Sequence, residues 1–167
     1  MKIWACQMLR KRESGFTLTE MIVVIAVLGI MTAIAIPSFM SLLPGMRLNG
    51  SARAIFVALS QVRMKAVAQN TIGVIKFDPS NNSFTAWLDD GAAGNNWALD
   101  STDTSIKSGS TETGVSISST TFPSNTFGYN GKGLPAVTPG TYAVTLTNSN
   151  GETQLVQVNA LGAIKMP

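Results

Sequence analysis

The chain has no histidine and one cysteine, Cys6, among its 167 residues. An internal disulfide is therefore excluded. So are the common Cys/His metal sites and every histidine-based triad. Charge is also scarce: only 13% of residues are Asp, Glu, Lys or Arg, low for a soluble domain of this size. No glycine-rich phosphate loop or nucleophile elbow stands anywhere in the chain. Hydroxyls and carboxylates are plentiful, so a Ser/Lys or two-carboxylate site on an anchored, exported enzyme stays open as an alternative.

The formal charge of +3 is local. Lys2, Arg10, Lys11 and Arg12 against Glu13 account for all of it, leaving eight basic and eight acidic residues elsewhere. If the first 15 residues are removed, the high isoelectric point goes with them, and bulk attraction to nucleic acid has no source. Cys6 would leave with the same segment.

What the chain does have is a long apolar run, residues 16–36, of 21 residues. At about 1.5 Å per residue a helix of that length spans about 30 Å, the thickness of a bilayer core. Basic residues precede it, so the N-terminus is expected on the cytoplasmic side with the remainder exported. Glu20 interrupts the front of the run, and an unpaired charge in hydrocarbon costs several kcal/mol. A cleavable secretory signal, with Ala33-Ile34-Ala35 as its small-x-small site, leaves Glu20 unexplained. A plain signal-anchor explains neither Glu20 nor Gly15-Phe16.

Gly15-Phe16-Thr17-Leu18-Thr19-Glu20, followed by the apolar run and Pro37, resembles the class III signal of type IV pilins and pseudopilins. The resemblance implies that a prepilin peptidase cuts between Gly15 and Phe16 and that the Phe16 amine is then methylated. It also implies that Glu20 neutralises the N-terminus of an adjacent subunit in a filament, where a charge costly by itself is offset by a close partner. The alternative reading is that Glu20 only sits at the headgroup boundary, solvated; its place within two turns of Phe16 allows this in the membrane-bound monomer, and both can hold in sequence.

Pro37, and then Pro44-Gly45, predict kinks or local melting of the helix between Gly29 and Gly45. Beyond them Leu48, Ala52, Ile55, Leu59, Val62 and Ala66 recur at spacings of four and three, with Phe56 beside them, the signature of an amphipathic helix. Arg47, Arg53, Arg63 and Lys65 fall largely off this stripe and read as a solvated face. Asn70 is the expected terminator. The periodicity then changes. Strands are expected at 72–77, 83–88, 115–118, 126–129, 142–147 and 154–159, with a last short one within 162–166. Asn150-Gly151 marks a hairpin. The fold class is α+β, a long N-terminal helix packed on an antiparallel β-sheet or sandwich head. Its divisions are a cleaved leader 1–15, a transmembrane and assembly helix 16–36, an amphipathic helix 37–70 and a β-rich head 71–167.

Residues 89–113 form a polar insertion containing Gly91, Gly94, Asn95, Asn96, Asp100 and Asp103. Such oxygen ligands could hold calcium, but the spacing is not that of an EF-hand, and Asp and Asn are ordinary turn residues. The expectation is an exposed loop and no cofactor. Trp87 and Trp97 flank it and are expected to pack rather than to stack on a ligand.

The similarity extends to the head. The helix around Ala52-Arg53-Ala54-Ile55, the strand pair ending at Trp87, the Phe127-Gly128-Tyr129-Asn130-Gly131-Lys132-Gly133 segment and the closing residues 156–165 resemble the GspH/FimT family of pseudopilins and minor pilins. That resemblance implies a non-enzymatic subunit of a type II secretion pseudopilus or a type IV pilus. Its implied partners are the prepilin peptidase, other pilin-like subunits and an inner-membrane assembly platform. DNA-binding members carry a C-terminal Gly-Arg-x-Arg motif; here the matching stretch is Gly162-Ala163-Ile164-Lys165. Only Lys165 remains to contact phosphate, so DNA binding is not expected.

Overall fold

The computed structural model describes residues 15–91 and 97–167. The expected leader, with Cys6 and the basic cluster, therefore lies almost wholly outside the described residues, as do Gly94, Asn95 and Asn96 of the polar insertion. The chain divides into two units, one ending at Met40 and one comprising Ser41–Pro167.

One α-helix, α1, runs Leu18–Gln69 for 52 residues and passes through both units. In the first unit its side chains are exposed on every face, Ile22, Leu28, Ile34 and Phe39 among them. The helix is long and apolar enough there to cross a membrane. It continues without interruption through Pro37 and Pro44, so no turn melts between Gly29 and Gly45. Each proline removes one backbone N–H from the helical ladder, and the turns on either side keep theirs.

In the second unit the helix becomes one-sided. Leu48, Ala52, Ile55, Leu59, Val62 and Ala66, the whole predicted stripe, are buried, together with Ser51 and Ala58. The helix ends at Gln69, and Asn70 takes a left-handed φ of 51°, a conformation Asn tolerates better than most residues.

Eight strands follow: β1 (Ile72–Asp78), β2 (Ser83–Asp89), β3 (Thr104–Ser110), β4 (Val115–Thr120), β5 (Thr126–Tyr129), β6 (Tyr142–Asn148), β7 (Thr153–Val158) and β8 (Ile164–Lys165). They form two four-stranded sheets, ordered β3-β2-β1-β5 and β4-β6-β7-β8. Every pairing is antiparallel. Ile75, Phe77, Phe84, Ala86 and Phe127 of the first sheet, Val115, Ile117, Val144, Leu146, Val156 and Val158 of the second, and the helical stripe share one core.

Strand β3 corrects the reading of 89–113 as a loop throughout. Its sequence, TSIKSGS, holds one large apolar residue, Ile106, and carries no alternation that period-two reasoning could detect. As an edge strand paired only with β2 it needs little apolar surface. Gly109 lets it close on the Phe84 ring, which a Cβ there would approach to 2.9 Å.

Candidate functional site

The N-terminal site is built by the first turn of α1. Gly15, Phe16 and Thr17 precede the helix and Leu18 opens it. The Glu20 amide donates to Thr17 Oγ1 at 3.2 Å, and the Thr17 amide and hydroxyl both donate to Glu20 Oε2 at 3.4 Å. This is a reciprocal capping box: Thr17 is the N-cap and Glu20 the residue three positions on. The carboxylate also sits where the helix macrodipole favours negative charge. Gly15, Phe16, Thr17 and Glu20 line one open hollow of about 460 Å³, and Phe16 is 77% exposed. The predicted processing residues and the predicted assembly carboxylate are thus brought together. The capping role of Thr17 is legible in the pattern Thr-x-x-Glu ahead of an apolar run, a signal separate from cleavage at Gly15-Phe16 and from the assembly role of Glu20.

Around the polar insertion, Asp89, Asp90 and Asp103 bring carboxylate oxygens within 4.8 Å of one another. Most of these oxygens already accept bonds that shape the loop. Asp89 accepts from the amides of Gly91 (2.9 Å) and Trp97 (3.3 Å). Asp103 accepts from the amides of Asp90 (3.2 Å) and Asp100 (3.0 Å). Asp90 accepts from Thr102 Oγ1 at 3.3 Å. Asp100 accepts from Thr102, hydroxyl first and amide second, and these bonds hold its carboxyl below the usual carboxylate range. The Trp97 ring lies against Gly128, where a Cβ would come within 3.1 Å of it; Trp87 is buried in β2.

The residues that resemble a pilin-like head mark places where segments approach too closely for a side chain. A Cβ at Gly131 would stand 2.5 Å from Asn70 Oδ1. One at Gly162, whose φ is +77°, would stand 2.9 Å from the Gly133 carbonyl oxygen and 3.0 Å from the Tyr129 ring. Tyr129 is buried and its hydroxyl donates to the Gly162 carbonyl at 3.2 Å. Burial pushes its phenol well above the ordinary range, against a smaller opposing effect from the nearby Arg63 guanidinium.

Arg63 is not part of a freely solvated face. Its Nε donates to the Gly133 carbonyl at 2.9 Å, and its guanidinium carbon lies 5.8 Å from the Tyr129 ring centroid. Its partner carbonyl is 70 residues away, so no local pattern could have revealed the bond. Arg53 and Lys65 are exposed as expected. Arg47 is exposed too, but donates to the Thr113 carbonyl at 3.3 Å. Lys165 is exposed in β8, paired with Gln157.

A membrane-length apolar helix, one-sided only where it meets a two-sheet head and capped at its start by Thr17 and Glu20, defines a pilin-like subunit. Comparison with known proteins agrees. The prokaryotic N-terminal methylation motif matches residues 10–36, and the model of type II transport protein GspH matches residues 51–162. The chain belongs to the GspH family, whose members are pseudopilins and minor pilins, structural rather than catalytic proteins. The fold is similar to that of the minor pseudopilin EpsH from the type 2 secretion system of Vibrio cholerae, with 13% identity, a TM-score of 0.55, and coverage of 72% of this chain and 96% of EpsH. It is equally similar to the type IV minor pilin FimU of Pseudomonas aeruginosa, with 13% identity, a TM-score of 0.55, and coverage of 72% and 87%. No curated protein matches the chain. The family implies processing by a prepilin peptidase and assembly with other pilin subunits, and the apolar helix anchors a globular head to a membrane.

Proposed function

We propose that this chain is a non-enzymatic minor subunit of a type II secretion pseudopilus or a type IV pilus, held in the bacterial inner membrane until it assembles. The N-terminus faces the cytoplasm and the head the periplasm. The prepilin peptidase cuts between Gly15 and Phe16, the Phe16 amine is methylated, and an inner-membrane platform drives the mature subunit into the filament. The observation that carries this reading is the join of Gly15-Phe16 and the Thr17–Glu20 cap to a helix whose first half buries none of its apolar side chains. A free amine at Phe16 would stand within the same first turn as a carboxylate that a neighbouring subunit's amine can approach.

Intact-mass analysis of the protein from cells with and without the peptidase tests the reading. A mature chain that begins at Phe16, with a methyl group added and Cys6 gone, is expected only where the peptidase is present. A chain beginning at Ile36, directly after Ala33-Ile34-Ala35, would falsify it.

A further inference from the structure

The chain contains three Asn-Gly pairs, Asn49-Gly50, Asn130-Gly131 and Asn150-Gly151. The pair has a chemistry of its own. Glycine has no side chain to shield its backbone nitrogen or to restrict its backbone, so that nitrogen can attack the carboxamide carbon of the preceding asparagine. Ring closure needs a carboxamide that can swing and a backbone that can turn. The fold provides both at one of the three pairs.

Asn49-Gly50 lies inside α1, between the buried Leu48 and Ser51. Closing a ring there would take the backbone out of helical geometry and break the hydrogen-bond ladder around it. Asn130-Gly131 lies outside the helix but is pinned. Asn130 Oδ1 accepts from the amides of Lys132 at 2.9 Å and Leu134 at 3.1 Å. Its own amide donates to the Leu134 carbonyl, its carbonyl accepts from Gly133, and Gly131 is pressed against Asn70.

Asn150 and Gly151, in the β6–β7 turn, are both exposed. The Asn150 side chain makes no hydrogen bond among the described residues. Nothing stands within 4 Å of a Cβ built at Gly151. The turn is shaped by Asn148 instead. Its Oδ1 accepts from the amides of Asn150 at 3.0 Å and Glu152 at 2.9 Å, and its Nδ2 donates to Glu152 Oε2 at 2.6 Å. One bond restrains the attacking nitrogen, from the Gly151 amide to the Asn148 carbonyl at 3.1 Å. It lies in a solvent-exposed turn, where such bonds open at little cost.

We propose that Asn150 is a self-modification site, converted to aspartate and isoaspartate as the folded protein ages. The Gly151 nitrogen, its proton lost to hydroxide, bonds to Asn150 Cγ. The Cγ–Nδ2 bond breaks, and ammonia leaves with a proton taken from solvent. Water then opens the cyclic imide at either carbonyl. The net change is one water consumed and one ammonia released, with no oxidant or metal. Aspartate restores the original main chain, whereas isoaspartate adds one atom to it between residues 150 and 151. Asn148 Oδ1 then cannot gather both turn amides, and because Asn148 is buried the lost bonds weaken the hairpin. Either product also places a new carboxylate beside Glu152.

The test incubates the full-length chain, purified in detergent, at neutral and mildly alkaline pH, with and without guanidinium chloride. Tryptic peptides ending at Arg53, Lys132 and Lys165 carry the three asparagines separately, and mass spectrometry follows the change from amide to acid in each. In guanidinium the three sites should convert at similar rates. In the folded chain Asn150 should outpace each of the others by about tenfold or more, since they must first break several hydrogen bonds. Its rate should rise with pH. Asn150→Gln, whose ring would need a further atom, should abolish the conversion and the slow fall of the unfolding midpoint expected of aged wild type. Conversion at Asn49 or Asn130 as fast as at Asn150, or an Asn150 that converts in guanidinium but not in the folded chain, would overturn the proposal. An equal fall of the midpoint in aged Asn150→Gln would overturn the effect on the hairpin.

Discussion

Tyr129 joins the helix, β5 and the C-terminal loop through one phenol. Its ring stands edge-on to Phe127 at 5.0 Å between centroids, and its hydroxyl is spent on the Gly162 carbonyl. Burial favours the protonated form. With the folded value raised above the unfolded one near 10, the neutral phenol stabilises the head fully below about pH 10 and progressively less above it. Thermal unfolding followed from pH 8 to pH 12 should show the midpoint constant at first and then falling. Tyr129→Phe should flatten that fall while costing about 1–3 kcal/mol at neutral pH, because the buried carbonyl loses its donor. A midpoint that falls equally in both forms would place the alkaline transition elsewhere. At Gly131 the crowding is against Asn70 itself, so Gly131→Ala should destabilise by about 1–3 kcal/mol, measurable by chemical denaturation. None of this was legible beforehand. The sequence shows the glycines as loose family resemblance, whereas their cause is three chain segments meeting far apart in sequence.

At the scale of elements, local pattern served well where burial is periodic. The helical stripe 48–66 and the strands rich in Val, Ile and Phe stand within a residue or two of their expected bounds, because one face of each meets the core. The pattern failed for β3, whose stability comes from β2 and not from its own side chains. The prolines show another limit. Pro37 and Pro44 lower local helix propensity, yet α1 continues through both. At the start of the helix, Thr17 and Glu20 hold each other before any partner arrives. Glu20→Gln keeps the size of the side chain and an acceptor for the Thr17 amide, yet removes the charge. Processing should persist, since Gly15-Phe16 is untouched. Incorporation into sheared filaments should fail, because the incoming amine finds no carboxylate. Thr17→Val should loosen the cap by about 0.5–2 kcal/mol and leave the charge in place, so incorporation should be reduced but not abolished. Normal incorporation of Glu20→Gln would reduce Glu20 to a capping residue.

Across the whole molecule, the distribution of charge matters more than its sum. Without the leader the chain is neutral. The acidic cluster near β2 is largely engaged with its own loop's amides, so we expect neither added calcium nor a chelator to move the unfolding midpoint by more than about 1 °C, since only a ligand that binds the folded state shifts it. Whether duplex DNA binds the head is the sharper question. Counterion release scales with the number of phosphates neutralised. Here Arg53 and Lys165 are exposed, while Arg63 is committed to Gly133 and Tyr129. Two phosphate contacts correspond to a log–log salt slope of only about −2 and to affinity no better than the non-specific range of about 10⁻⁴–10⁻⁶ M. Titration of labelled duplex with the mature protein, at two or more salt concentrations, should give that weak and shallow response. Lys165→Ala should reduce the slope by about one unit. Submicromolar binding with a slope of several units would require a cationic surface larger than these two side chains.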